Sequence, residues 1–418
     1  MSAVCWKCVE DVYLSKRIKK EGEPLKCSVC GKKRKSFSVE ELGEVLRPIL
    51  RGQIKEGEDV PKIDESDHTY YEQQGDPLSH WVQEILGQYF NFNEEIVDAV
   101  VDSEHVDEAD GEIRFFDSAA SYESIPTSLH AYYSQWEFVL DELKHSRRFF
   151  SSSAKTLFDE LFDGIETMKS FGENNKDETV VWTLPEGSKL YRARTCESSS
   201  RLNEFHAHPM KNVGPPPPAQ ARAGRMNVEG VTVFYGGRDA DTCLAEMRPA
   251  LGGDTVVIEL QTTKALRVLD FTRLQKSHGE GLSYFQPNFN SEVERLAFLR
   301  RLHRLISQPV VPGHESDYLI TQTLAEYLAH EDPFDGILFK SVQRAGGVNI
   351  VLFRERGKGD PDRPCFPLKY VDGSFKLFRT KTIQYKHKER RLYVDGGKVS
   401  LAYDEEEDDD YFDYGWLE

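Results

Sequence analysis

No stretch of 18 or more apolar residues occurs in the 418-residue sequence, and no apolar run follows the basic residues near its start. A membrane span and a secretory signal are both unexpected, and the cytoplasm is the expected compartment. The chain has no P-loop and no Gly-x-Ser-x-Gly element; Gly236-Gly237 and Gly346-Gly347 read as turns rather than phosphate cradles. No internal repeat is visible. Cysteine is sparse and odd in number, at seven, which argues against a disulfide framework. Bases are missing from residues 404–418, whose nine acids supply half of the net charge of −18. Such acidity argues against general binding of duplex nucleic acid.

What is present divides the chain. A hydrophobic content of 39% with 24 Phe and 18 Tyr suffices for the cores of two or three domains. Cys5, Cys8, Cys27 and Cys30 form two CxxC pairs separated by eighteen residues, whereas Cys196, Cys243 and Cys365 are scattered. Each CxxC turn aims two thiolates at one ion. Residues 1–36 therefore read as a small zinc ribbon with four cysteine ligands, with an iron site as the minority reading. Four thiolates leave no open position, so the zinc is expected to be structural. Residues 1–35 also hold ten Lys or Arg against four acids, a surplus of six suited to nucleic acid or to the acidic tail.

Residues 37–172 read as an all-α domain. Ser38-Val-Glu-Glu41 is a capping box ahead of Leu42, Leu46, Ile49 and Leu50. Further helical stripes run through Trp81, Val82, Ile85, Leu86 and Tyr89, through Trp136, Val139, Leu140 and Leu143, and through Leu157 to Ile165. Residues 52–67 and 102–112 are acidic connectors, and Gly172–Glu178 is a linker. Beyond it, strands are expected at 180–182, 189–194, 231–235, 255–260, 266–270, 336–339 and 349–353, with helices at 240–248, 291–307 and 318–330. This is an α+β domain over 173–355. Pro215–Pro218 is an extended loop, and 356–418 is a β extension with an acidic tail.

Several segments of that α+β domain resemble, in order, the motifs of the RES family. Tyr191-Arg192 matches the first-strand pair, with Arg192 the namesake arginine, and Gly224-Arg225-Met226-Asn227 matches the Gly-Arg-(Trp or Met)-Asn segment. Phe234-Tyr235 matches the strand of the pocket tyrosine, and Thr242-Cys-Leu-Ala-Glu246 the helix of the namesake glutamate. Gly336-Ile-Leu-Phe-Lys-Ser341 with Gly347-Val-Asn349 matches the strand, loop and strand of the namesake serine. The resemblance implies an ADP-ribosyltransferase-like fold, NAD as substrate, and a toxin or defence effector, with a small antitoxin or trigger as partner. It also implies catalytic roles for Arg192, Tyr235, Glu246 and Ser341, and substrate contacts for Tyr191, Arg225, Asn227 and Asn349. The Pro-rich insertion between Arg194 and Arg225 departs from compact members.

These residue types suit that chemistry. Nicotinamide leaves with its bonding electrons, so the ribose develops oxocarbenium-like charge. An arginine fork meets phosphate oxygens bidentately, and a carboxylate stabilises the cation. Three outcomes stay open: phosphorolysis with inorganic phosphate as co-substrate, hydrolysis, or ADP-ribosyl transfer to a macromolecule. A non-enzymatic zinc-ribbon binding module is the remaining alternative, and the oligomeric state is open. The reading requires Arg192, Tyr235, Glu246 and Ser341 to face one cavity. The helical segment resembles the HEPN-like module found ahead of RES domains, notably at Lys144–Phe150. It lacks an Arg followed four to six residues later by His, so ribonuclease activity is not expected there; Arg201–His206 has the spacing but lies in the RES portion.

Overall fold

A computed structural model describes residues 2–63, 67–104, 114–148, 150–172, 176–279, 281–307, 315–331, 334–355, 366–384, 392–395 and 398–401. The acidic run 404–418, Cys365, the middle of the 172–178 linker and most of the 102–112 connector lie outside these residues. The chain forms two compact units, Met1–Thr127 with Gly281–Glu292, and Ser128–Glu280 with Val293–Asp404. No helix among the described residues is long and apolar enough to cross a membrane.

In the first unit, Ala3–Cys5, Lys33–Ser38 and Glu23–Lys26 form an antiparallel sheet with Lys33–Ser38 in the middle. The residues between the CxxC pairs hold a helix, Val12–Glu21, whose first turn is capped by the Asp11 carboxylate accepting from the Leu14 amide. Ser38 and Glu41 make the reciprocal capping box that starts helix Val39–Gln53. One core joins all of these: Val4, Leu14, Ile18 and Phe37 are buried together with Leu42, Leu46, Val82 and Ile96. The cysteine-bearing segment and the first helices thus share a single core.

Two expectations are corrected here. The segment 37–172 is not all-α. Asp59–Ile63 and Thr69–Gln73 form a hairpin, and Ile54–Glu56, Ser121–Ser124 and Asp76–Pro77 form a three-stranded sheet. These runs are too short for a helical stripe, and residues such as Val60, Thr69, Tyr70 and Tyr71 favour extended backbone. Tyr89 does not extend its stripe either. Helix Leu78–Leu86 ends at Gly87, which takes the left-handed conformation at φ 67°, and Tyr89 beyond it is 68% exposed.

The second unit is built on a nine-stranded sheet. Its strands are β1 (Val181–Leu184), β2 (Lys189–Cys196), β3 (Phe234–Gly237), β4 (Asp254–Thr262), β5 (Leu266–Asp270), β6 (Gly336–Lys340), β7 (Val348–Leu352), β8 (Leu368–Tyr370) and β9 (Lys376–Arg379). They are ordered β1-β5-β6-β7-β3-β2-β4-β8, with β9 also on β4. The β5–β6 pair is parallel and the rest are antiparallel. The sheet therefore continues past residue 355, where the sequence suggested a separate extension. Helices α1 (His130–His145), α2 (Ser152–Phe162), α3 (Ser199–Ala207), α4 (Ala240–Met247), α5 (Phe289–Ser307) and α6 (Leu319–His330) accompany it.

Period-two alternation assigns the faces. Ile337, Phe339, Val351 and Phe353 point into a core with Trp136, Phe158, Phe298 and Leu324 of α1, α2, α5 and α6. Leu338, Ile350 and Leu352 point the other way, toward Leu190, Phe234, Ile258 and Phe205 of α3. Part of the segment assigned to the helical domain thus packs on this sheet. Strands β2 and β4 are in register over all eight residues from Lys189 to Cys196. Strands β2 and β3, by contrast, pair only at Tyr191 and Gly237.

Candidate active site

Where β2 and β3 part, a cavity of about 230 Å³ is lined by Arg192 and Ala193 from one strand and Tyr235 and Gly236 from the other. Helix α4 contributes Cys243, Glu246 and Met247, and β6 and β7 contribute Phe339, Lys340 and Asn349. Arg225 and Ser307 complete one wall.

The carboxylate of Glu246 is held from two elements distant in sequence. Ser341 Oγ donates to Glu246 Oε1 at 2.6 Å, and Asn349 Nδ2 donates to the same oxygen at 2.8 Å. Among the described residues, the second carboxylate oxygen accepts no hydrogen bond, and Glu246 is exposed at the cavity mouth. Ser341 is itself fixed. Its Oγ accepts the backbone amides of Gln343 and Arg344, each at 3.2 Å, and its amide donates to Gly347 O at 2.9 Å.

A guanidinium ties that loop to the helix carrying Glu246. Arg344 Nη1 donates to both oxygens of Asp239 and to Thr242 Oγ1, all at 3.1 Å. Asp239 is the N-cap of α4 and accepts the Thr242 amide at 2.8 Å. A Cβ on Gly347 would lie 2.7 Å from Thr242 Oγ1, so only glycine lets the loop close this tightly.

Neither arginine of the cavity has a carboxylate partner among the described residues, in contrast to Arg344, which is paired to Asp239. Arg192 Nε donates to Val213 O at 2.8 Å, its Nη1 donates to Tyr235 O, and its guanidinium lies 5.6 Å from the Phe234 ring centre. Burial, reinforced by Arg194, lowers its pKa to about 10, so it stays cationic at neutral pH. Arg225 Nη1 donates to Ile306 O at 2.6 Å. Each anchor uses only part of a five-donor fork and leaves N–H groups for an anion.

Tyr235 supports the Arg225 loop. Its hydroxyl accepts the Met226 amide at 2.8 Å and donates to Asn227 Oδ1 at 2.9 Å. Burial raises its pKa to about 12, which keeps it a neutral phenol. Asn227 spends its amide on the carbonyls of Arg222, Val228 and Val231. A Cβ on Gly224 would meet the Tyr235 hydroxyl and Asn227 Oδ1, each at 2.9 Å.

Of the residues named from the sequence, Arg192, Arg225, Tyr235, Glu246 and Asn349 line one cavity, and Ser341 is bonded to one of them. Tyr191 and Asn227 do not line it. Tyr191 points to the opposite face of β2 from Arg192 and donates to Glu259 Oε2 at 3.2 Å across the β2–β4 ladder. Cys243, Lys340, Asp239 and Arg344 escaped the sequence reading. Cys243 donates to Tyr191 O, and burial raises its thiol to about 12, so it is no nucleophile at neutral pH.

Residues 189–370 match the family model of the RES domain. The match covers every candidate residue of the cavity and runs to the end of β8, but spans under half of the chain. No curated protein matches the chain.

In the first unit, the four cysteines of the two CxxC pairs converge, their sulfurs lying within 4.8 Å of one another. Cys5 Sγ is 3.7 Å from Cys8 Sγ and 3.8 Å from Cys30 Sγ. A tetrahedron of sulfurs about 2.3 Å from a central ion has edges of about 3.8 Å, which the Cys5–Cys8 and Cys5–Cys30 separations match. The Lys32 backbone amide lowers the Cys30 thiol to about 7, which favours a thiolate there.

Tyr235→Phe removes a hydroxyl that satisfies the Met226 amide and the Asn227 oxygen. The expected cost is about 1–3 kcal/mol of stability, read as a lowered Tm. An unchanged Tm would show that the ring alone holds this loop.

Proposed function

We propose that the RES domain cleaves the bond between ribose C1′ and the nicotinamide nitrogen of NAD. The observation that carries this reading is the joining, in one cavity, of two guanidinium groups without acidic partners and a carboxylate fixed from one side. A dinucleotide supplies what each lacks. Its diphosphate meets the free N–H groups of Arg192 and Arg225. Its ribose places developing positive charge beside the free oxygen of Glu246. A cavity of about 230 Å³ is smaller than the ~300–1,000 Å³ of sites that enclose a whole ligand. It suits one end of a dinucleotide, with the remainder across the mouth.

In the step itself, the C1′–N bond breaks and its electron pair goes to the pyridine nitrogen, releasing neutral nicotinamide. A phosphate oxygen or a water oxygen then bonds to C1′, giving ADP-ribose 1″-phosphate, or ADP-ribose with release of a proton. Ser341 and Asn349 hold Glu246 Oε1, so the carboxylate needs little reorganisation as charge develops. Arg344 acts through Asp239 and the Ser341 loop as a positioning residue. For the cysteine cluster we propose zinc in a structural role, since four thiolates close the coordination shell.

Mass analysis of products from NAD, with and without phosphate, tests the reading. Release of nicotinamide with ADP-ribose 1″-phosphate marks phosphorolysis, and ADP-ribose marks hydrolysis. Label from NAD retained on a macromolecule marks transfer instead. Intact NAD under all conditions overturns the proposal. Glu246→Gln keeps the shape and an oxygen that accepts from Ser341 and Asn349 but removes the charge, so nicotinamide release should fall about 10²–10³-fold while Tm drops by only a few degrees. Arg344→Ala should lower kcat about ten- to a hundredfold through misplacement of Glu246, with KM little moved and partial rescue by Arg344→Lys. For the metal, elemental analysis should find zinc bound in stoichiometric amount. A chelator or Cys27→Ser should unfold the first unit, and a metal-free protein of unchanged Tm would refute the structural role.

A further inference from the structure

The first unit carries cations that the site chemistry does not use. All eight lysines between residues 7 and 35 are exposed. Among the described residues, only Lys20 of these lysines has an ion-pair partner, Glu21; Lys7, Lys16, Lys19, Lys26, Lys32, Lys33 and Lys35 have none. In a chain of net charge −18, so many unpaired cations on one small unit demand an explanation.

Their placement supplies one. Lys26 and Lys33 are directly opposed across the antiparallel hairpin, an arrangement that costs stability when both are charged. Lys35 lies two residues along and so on the same face as Lys33. Its Nζ donates to Lys20 O at 3.0 Å, which joins the hairpin to the C-terminal end of helix Val12–Glu21. Trp6 follows on: its amide donates to Lys35 O at 3.3 Å, and Lys7 and Lys19 lie 5.2 and 4.8 Å from its ring centre. A row of ammonium groups thus runs along the hairpin to an aromatic ring flanked by two more.

We infer that this face binds a nucleic-acid strand. The lysines meet successive phosphates as point charges, which relieves the Lys26–Lys33 repulsion. Trp6 offers a stacking platform once its lysines turn to phosphate. A lipid surface fits less well. Leu14 and Ile18 of the helix are buried, and its exposed residues are Val12 and Tyr13 with Lys16, Arg17, Lys19, Lys20 and Glu21, so only two apolar side chains, both in the first turn, are available to insert.

Fluorescence anisotropy of a labelled oligothymidylate, and of a duplex of equal length, with the full-length protein tests this. Affinity for the single strand should fall steeply with salt, with a log–log slope of about −3 if four phosphates are neutralised at ~0.7 each. The double variant Lys26→Gln/Lys33→Gln should weaken binding about tenfold or more and reduce the slope by about 1.4. Its Tm should be equal or higher, since a repulsive pair is removed, and a merely structural role for these lysines would lower it. Trp6→Ala should weaken single-strand binding more than duplex binding. Absence of binding at low salt, affinity unchanged in the double variant, or binding to phosphatidylserine vesicles but not to oligonucleotides would each overturn the inference. None of these readouts depends on turnover of NAD.

Discussion

Three elements of the second unit meet at one oxygen. Glu246 Oε1 accepts a hydrogen bond from Ser341, in the loop after β6, and another from Asn349 on β7. Those residues lie 95 and 103 positions from the helix residue that carries the carboxylate. Hydrogen bonds to an ionised group are worth more than neutral ones, so this contact fixes helix, loop and strand together. The Arg344–Asp239 contact repeats the same joint at the other end of α4. Strand β3 can then leave β2 after a single paired position without loosening the cavity floor.

Much of this was legible because local chemistry and global fold agree. The capping box at Ser38 and Glu41 needs only side chains three apart. Strand β5 occupies the residues expected from the short apolar run around Val268 between Leu266 and Asp270. The order of Arg192, Tyr235, Glu246 and Ser341 marked a set of residues that the fold does gather. Other features had no local signature. Arg344 and Asp239 are 105 residues apart, and nothing near either names the other. Helix α3 lies in the insertion between Arg194 and Arg225, where no helix was expected; it is started by Ser198 and anchored by Phe205 alone among its buried residues.

Asn227 and Tyr191 show a different limit. A motif position tells which residue type is required, not whether it faces a ligand. The Asn227 amide meets three carbonyls of its own loop, a task only an amide of that length performs there. Tyr191 is one residue from Arg192 and therefore on the other face of the strand. Both support the wall of the cavity rather than its interior, and their identity is set by the backbone they hold.

The charge states around the cavity narrow its chemistry further. Cys243 and Tyr235 are each raised to about 12 by burial, while Arg192, lowered to about 10, keeps its proton. At neutral pH the thiol and the phenol are therefore neutral, and neither supplies a nucleophile. Covalent catalysis through sulfur would need the Cys243 thiolate, which burial disfavours even with Arg192 nearby. What remains is a cationic wall facing a carboxylate. Such an arrangement separates charge within a substrate, holding its anionic end while accepting a cation at the other.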